Sequence, residues 1–246
     1  MLRFGLIGFP LSHSFSRKYF TEKFSRMGLG HTYHNFEMEN IQDFPDLFTE
    51  NLDLKGLNVT IPHKKAVMDF LDEVTPRAKR IGAVNTILIR EDGKKIGYNT
   101  DYIGFRDSLL AMIGERRDLK ALILGTGGAA EAARVVIEDL NISIAFTSRT
   151  GGRDLHEHPV LDYEGASVND FPLIINTTPL GMYPKVENAP PLDYENLTKD
   201  HFLFDLVYNP EETRFLRYGS DVGATTQNGL PMLHGQAEAA WEIWTK

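Results

Sequence analysis

The 246-residue sequence predicts an α/β fold built around a dinucleotide-binding unit. Two observations predict it. Short apolar runs that can each form one buried strand alternate along the chain with stretches whose apolar residues recur at helical spacing. One such run, Ala121-Leu122-Ile123-Leu124, passes directly into Gly125-Thr126-Gly127-Gly128-Ala129-Ala130 and then an alanine-rich helical pattern. This G-x-G-x-x-A order is what a pyrophosphate needs: a tight turn at Gly125, close backbone approach at Gly127, and a small Ala130 for helix–strand packing. Amides at the helix start then face the phosphates with the positive end of the macrodipole.

Composition narrows the function. The chain is 42% hydrophobic and 11% aromatic, enough to bury real cores. Its formal charge of -8 argues against nucleic acid and anionic membranes as partners. No apolar run reaches the roughly 20 residues of a membrane span, and Met1-Leu2-Arg3-Phe4 reads as a strand, not a leader. The absence of cysteine excludes thiolate chemistry and fits a cytoplasmic setting.

In chain order, strands are expected at residues 4–8, 32–36, 56–62, 80–88 and 96–101. Helical faces recur at Phe20, Phe24 and Met27, at Ile41, Phe44, Leu47 and Phe48, and at Phe105, Leu109 and Met112. The strand at 56–62 ends in polar residues, with Asn58 and Thr60 on one face by the period-two rule. Lys64 follows at an expected helix start, where a cation opposes the helix dipole. Its spacing alone allows a solvated lysine as readily as a catalytic one. Asp101, likewise, reads equally well as a helix cap.

After the glycine turn, Ala132, Ala133, Val136, Ile137 and Leu140 mark the inward face of the crossover helix. The next strand alternates through Ile142, Ile144 and Phe146 and ends at Thr147-Ser148-Arg149-Thr150. An acidic residue there, roughly twenty positions past the turn, would hold a ribose 2′-hydroxyl, whereas an arginine accommodates a 2′-phosphate. Arg149, flanked by hydroxyls and with Arg153 nearby, selects NADP over NAD. Further strands are expected at 173–176, 202–207 and 223–229, and a final helix carries Leu233, Ala237, Ala240, Trp241 and Trp244 on one stripe, with Gln236 off it. No metal is implied: the eight histidines show no ligand spacing, and His156-x-His158 stands alone in an expected loop.

Taken together, these stretches resemble the shikimate dehydrogenase family. In order they are Gly8-x-Pro10-x-x-His13-Ser14-x-Ser16, Asn58-Val59-Thr60-x-Pro62-x-Lys64, Gly82-Ala83-Val84-Asn85-Thr86, Asn99-Thr100-Asp101, Gly125-x-Gly127-Gly128-Ala129, Ser148-Arg149-Thr150, Ile175-Asn176-Thr177-Thr178-Pro179-x-Gly181-Met182 and Gly229-x-x-Met232-Leu233-x-x-Gln236. The resemblance spans nearly the whole chain. It implies two α/β domains: a substrate domain of residues 1–101 with the C-terminal helix 229–246 returning to it, and an NADP-binding Rossmann-type domain of residues 102–228. It further implies reversible NADPH-dependent reduction of 3-dehydroshikimate to shikimate, in the shikimate pathway towards chorismate and the aromatic amino acids.

By motif, the resemblance makes Lys64 and Asp101 catalytic. Ser14, Ser16 and Tyr208 would hold the substrate carboxylate, and Asn58, Thr60, Asn85 and Gln236 its ring oxygens. Cofactor contacts would come from Gly125, Thr126, Gly127, Gly128, Ala129, Ser148, Arg149, Thr150, Arg153, Leu206 and Gly229. A monomer and a homodimer are both compatible with it. Three positions depart from the family pattern. Arg17 stands for a proline, Ser148 for an asparagine that would contact NADP, and Tyr102 for a glycine beside the substrate, which puts discrimination against quinate in question. The segment 151–171 is also compact, which shortens a crossover. An NAD-using quinate/shikimate dehydrogenase would carry an acidic residue near 149. A non-catalytic NADP(H) sensor on this fold would have lost Lys64 or Asp101, and both are present.

Overall fold

The computed structural model describes residues 1–11, 14–152 and 155–246; His13 and Arg153, both noted above, lie outside the described residues. The chain forms two compact units, one of Met1–Thr100 with Ala237–Lys246, the other of Asp101–Gln236. Among the described residues, no helix is long and apolar enough to cross a membrane.

The first unit contains β1 (Arg3–Gly8), α1 (Phe15–Arg26), β2 (Thr32–Glu37), α2 (Asp46–Glu50), β3 (Leu54–Val59), β4 (Glu73–Val74), α3 (Pro76–Ile81), β5 (Thr86–Ile89) and β6 (Lys95–Tyr98). Its sheet runs β2-β1-β3-β5-β6-β4 and is mixed, since β5 is antiparallel to β3 and to β6. The strand expected over residues 80–88 begins only at Thr86. Arg80 and Ile81 close α3, whose proline-led first turn and left-handed Gly82 cap favour a short helix. Likewise Lys64 precedes a 3-10 turn, Ala66–Phe70, and not an α-helix.

Strand alternation sends side chains to two cores. Ile7, Leu57, Val59 and Ile87 pack on one face with Phe44 and Val67. Phe4 and Leu6 pack on the other with Phe20, Phe24, Tyr33 and Trp244. The last part of the final helix belongs to this second core. Trp244 Nε1 donates to the Ile87 carbonyl at 3.0 Å, and Lys23 of α1 binds Glu238 at 2.6 and 2.9 Å. Tyr19 shares that carboxylate, whose position among donors lowers its pKa.

The second unit contains α4 (Asp101–Ile113), β7 (Lys120–Leu124), α5 (Gly128–Asp139), β8 (Ser143–Thr147), β9 (Val160–Leu161), β10 (Leu173–Asn176), β11 (Phe202–Asp205), α6 (Arg214–Asp221), β12 (Thr225–Gln227) and the start of α7 (Leu230–Thr245). All six strands are parallel, ordered β12-β11-β10-β7-β8-β9. The order reverses at β7 and β10, the topological switch point of a doubly wound sheet. β7, after its first residue, and β10 are buried, as parallel strands covered on both faces must be.

The helix α7 divides between the units at residues 236 and 237, later than the sequence division at 229. The reason is close packing: a Cβ on Gly104 of α4 would lie 2.3 Å from the Met232 carbonyl oxygen, so the first turns of α7 seat on α4.

Candidate functional site

In the first unit, one edge of the sheet gathers the predicted donors. The carboxyl ends of β1, β3 and β6 and the start of antiparallel β5 meet there, because Asn58 pairs with Thr86 and Thr86 with Tyr98. Thr60 continues β3 through a bond from its amide to Ile7 O at 2.9 Å. The Lys64 carbonyl is fixed by Val84 N at 2.8 Å, and the Asn85 amide by Tyr98 O at 3.0 Å. Ser14 caps α1, accepting from Arg17 N at 3.2 Å, and Ser16 lies in the first turn.

A continuous chain of buried polar groups runs beneath this edge. The Tyr33 hydroxyl donates to Asn58 Oδ1 at 2.8 Å. Asn58 Nδ2 donates to the Asn85 carbonyl and to Thr86 Oγ1, each at 3.3 Å. Asn85 Oδ1 in turn accepts from Thr86 Oγ1 at 3.2 Å, from Thr100 N at 2.7 Å and from Thr100 Oγ1 at 3.1 Å. Burial holds the Tyr33 phenol far above its ordinary pKa, so it stays neutral and keeps its proton for Asn58. Both amide hydrogens of Asn58 are directed inward, so towards a ligand it offers only its carbonyl oxygen. Sequence reasoning misses Tyr33, Thr86 and Thr100 as site residues. Thr86 and Thr100 stand inside the quoted motifs, but Tyr33 reads from sequence as an ordinary strand aromatic.

In the second unit, the glycine turn sits at the switch point. Gly125 adopts φ +97°, a conformation L side chains rarely take, and its amide donates to Thr147 O at 2.9 Å. Thr177, at the end of β10, donates its hydroxyl to Leu124 O at 2.6 Å, joining the two strand ends. Gly127 caps α5 without a side-chain hydrogen bond, and Thr126, Gly127, Gly128 and Ala129 are all exposed, with Gly125 half-buried beside them. The first-turn amides of a twelve-residue helix therefore face outward without a side-chain cap, which suits a phosphate. A Cβ at Gly127 or Gly128 would meet nothing within 4 Å, which leaves room for a ligand against the backbone. β8 leads into exposed Arg149, with no acidic side chain from 147 to 150. These residues fit NADP.

Ser148 turns back on its own loop. Its hydroxyl donates to Gly151 O at 2.8 Å and closes the loop beneath Arg149. Thr150 contacts the same carbonyl at 3.4 Å. Tyr102 is buried, and its hydroxyl donates to Asp139 Oδ2 at 2.8 Å, at the end of α5 opposite the glycine turn. Its ring lies over the Arg106 guanidinium at 5.8 Å.

A second buried hub holds the turns after β10 and β11. Asp205, with no exposed surface, accepts from Asn176 Nδ2 at 2.9 Å, Thr213 Oγ1 at 2.5 Å and Val207 N at 3.0 Å. Asn176 Oδ1 accepts from Thr178 N and Oγ1 at 3.0 and 2.6 Å. Leu206 and exposed Tyr208 follow directly. Gly229 packs so tightly there that a Cβ would lie 2.2 Å from Leu206 O. Gln236 lies within α7, and Asp101 opens α4. Among the described residues, no cluster of histidines and carboxylates could hold a metal.

A doubly wound sheet with an uncapped, glycine-led helix at its switch point defines a dinucleotide-binding α/β protein, here joined to a second α/β unit rich in short polar donors. Comparison with known proteins narrows that class. Residues 6–87 match the model of the shikimate dehydrogenase substrate binding domain. A shikimate dehydrogenase (NADP(+)) of Methanococcus aeolicus is 41% identical over 98% of this chain and 91% of its own length. The crystal structure of a shikimate dehydrogenase in complex with NADP+ superposes with a TM-score of 0.91 at 38% identity, over 100% of this chain and 90% of that one. That of the Thermus thermophilus enzyme in complex with NADP(H) and shikimate gives 0.88 at 34% identity, over 100% and 94%. The chain belongs to the shikimate dehydrogenase family.

Asp205 supplies a test of the second hub. Burial raises its pKa from the ordinary 3.8 to about 6 despite three donors. A carboxyl whose folded pKa lies above its unfolded value adds stability that is complete below the unfolded pKa and is lost as pH rises through the folded one. The span is about 3 kcal/mol. In urea unfolding, wild type should lose roughly that much relative to Asp205→Asn between pH 4 and 8. Parallel stability curves for the two proteins would contradict this.

Proposed function

We propose that this chain catalyses the reversible, NADPH-dependent reduction of 3-dehydroshikimate to shikimate, within aromatic amino-acid biosynthesis, in the cytoplasm and as a monomer or homodimer. The observation that carries the reading is the match along nearly the whole of both chains to enzymes of that activity. The polar edge of the first unit supports it chemically. A polyhydroxylated acid needs many short donors and acceptors, since each buried hydroxyl left unpaired costs about 1–3 kcal/mol.

In this reading Ser14, Ser16 and Tyr208 hold the carboxylate. Thr60, Asn85 and Gln236 take the ring oxygens, with Asn58 contributing mainly by orienting Asn85 and the turn around it. When bound, the reduced nicotinamide supplies hydride to the ketone carbon. Gly125, Thr126, Gly127, Gly128 and Ala129 would receive the pyrophosphate, Ser148, Arg149 and Thr150 the 2′-phosphate, and Leu206 and Gly229 the nicotinamide end. Lys64 delivers the proton to the forming alkoxide oxygen, and Asp101 accepts a substrate hydroxyl. A lysine suits the first task because its ammonium can be aimed on a flexible stem while its backbone stays fixed by Val84.

Mixing purified protein with shikimate and NADP+ should produce the reduced-nicotinamide absorbance band, with little rate on quinate. Equal efficiency on quinate would contradict the specificity, and silence on both acids would contradict the activity.

Lys64→Met keeps much of the stem and deletes the amine. Because general acid catalysis acts in the transition state, kcat should fall by about 10²–10⁴ while NADPH binding is retained. A near-normal kcat with only a raised KM would reassign Lys64 to binding.

A further inference from the structure

One face of α5 carries a charged cluster that the proposed reaction leaves unused. Glu131, Arg134 and Glu138 lie on successive turns along it. The buried Arg134 guanidinium contacts Glu131 at 3.1 Å and Glu138 at 2.7 Å. Two histidines from the far side of the β8–β9 crossover complete the cluster. His156 Nε2 lies 3.2 Å from the Glu131 carboxylate, and His158 Nε2 lies 3.0 Å from Glu138 Oε1.

The backbone is distorted to present this pair. Leu155 and His158 exchange both amide–carbonyl bonds, at 2.9 and 3.0 Å, across a two-residue turn. His156 and Glu157 occupy the turn with φ of +51° and +67°. Such a turn ordinarily selects Asn-Gly, because both central residues are left-handed. Here a histidine and a glutamate hold the strained positions, and what the turn presents in return is two imidazoles to two carboxylates.

The turn also leads straight to the loop after β8. His158 and Pro159 enter β9, with Phe146 N donating to Pro159 O at 2.8 Å and Ser148 N to Leu161 O at 3.0 Å. Gly151 lies against β9 as well, where a Cβ would stand 3.2 Å from Asp162 N. The loop from Ser148 to Gly151 thus rests on β9, and β9 is reached through the histidine turn. Among the described residues, no helix stands between β8 and β9 to seat that loop instead.

We propose that His156 and His158 are positioning residues for NADP recognition: they clasp the β8–β9 crossover to α5, so that the loop carrying Arg149 and the helix carrying the phosphate-facing amides form one frame. This rests on the reading of Arg149 as the residue that meets the 2′-phosphate. The neutralised Glu131 is part of the same arrangement. Its carboxylate sits in the first turn of α5, where phosphates are also expected, and Arg134 and His156 hold it against the crossover.

Two measurements on the full chain test this: fluorescence titration of NADPH and NADH, and amide hydrogen exchange at Ser148 in the ligand-free protein. His156→Ala/His158→Ala should weaken NADPH by about tenfold while NADH changes less than about twofold, as expected when a recognition loop is misplaced by a fraction of an ångström. Exchange at Ser148 should quicken in the same variant. His156→Gly suits the left-handed turn better but removes the clasp, so NADPH binding should weaken without a fall in melting temperature. Glutamine at both positions keeps a donor in reach and should restore most of the affinity.

Wild-type NADPH affinity and Ser148 protection in the double variant would overturn the clasp. So would equal losses for NADPH and NADH, which indicate a general loosening. Arg149→Ala is measured alongside and should weaken NADPH by about ten- to a hundredfold. If it does and the histidine variants do not, the clasp alone fails. If Arg149→Ala binds NADPH normally, the phosphate reading fails and the clasp with it.

Discussion

Buried polar groups must find partners, and beneath its donor edge the first unit meets that demand with one chain of hydrogen bonds that runs from Tyr33 through Asn58, Thr86 and Asn85 to Thr100. Each link assigns the next. The neutral Tyr33 phenol can donate only once, so Asn58 must present its carbonyl to Tyr33 and its amide to Thr86 and the Asn85 backbone. Asn85 then shows its carbonyl to Thr100. The chain joins β2, β3, β5 and the residue before Asp101, so the strand ends cannot shift independently. A polar core of this kind rigidifies a site only when every member is satisfied, and here the members satisfy one another.

The second unit solves the same problem differently. Its parallel strands are apolar almost to their ends, and the polar contacts fall to the turns. Asp205 gathers donors from three elements and thereby fixes the chain at Asn176 and Val207, while Thr177 ties β10 to β7 beside the glycine turn. The helix amides are left without a side-chain cap on the side where strand order reverses. A fixed set of turns around an uncapped helix end suits a ligand of constant shape, such as a dinucleotide. The first unit, with its many hydroxyls and amides, suits one distinguished by its own hydroxyls.

Much of this is legible in the sequence. The run into Gly125 specifies strand, turn and helix because that order has few other uses, and the strand over 56–62 places Asn58 and Thr60 near its polar end. What escapes is tertiary. Nothing in Thr32-Tyr33-His34 reveals that one hydroxyl will meet Asn58 across the sheet. Arg80 and Ile81 read as strand by their apolar neighbours, but Pro76 and Gly82 bound a helix there. Ser148 and Tyr102 read as altered ligand contacts from their motif positions, whereas their side chains turn to Gly151 and Asp139. His156-x-His158 reads as an idle pair because its partners lie more than a dozen residues away on α5.

The most direct test of the account is Tyr33→Phe, which removes one hydroxyl and cuts the buried chain without changing any residue that would touch the substrate. Losing a buried hydrogen bond should cost about 1–3 kcal/mol of stability. If the chain sets the donors, the KM for shikimate should also rise by about tenfold, with NADPH affinity unchanged. A variant that is less stable yet binds shikimate as wild type does would show that the chain supports the fold alone, and that each donor is placed by its own strand.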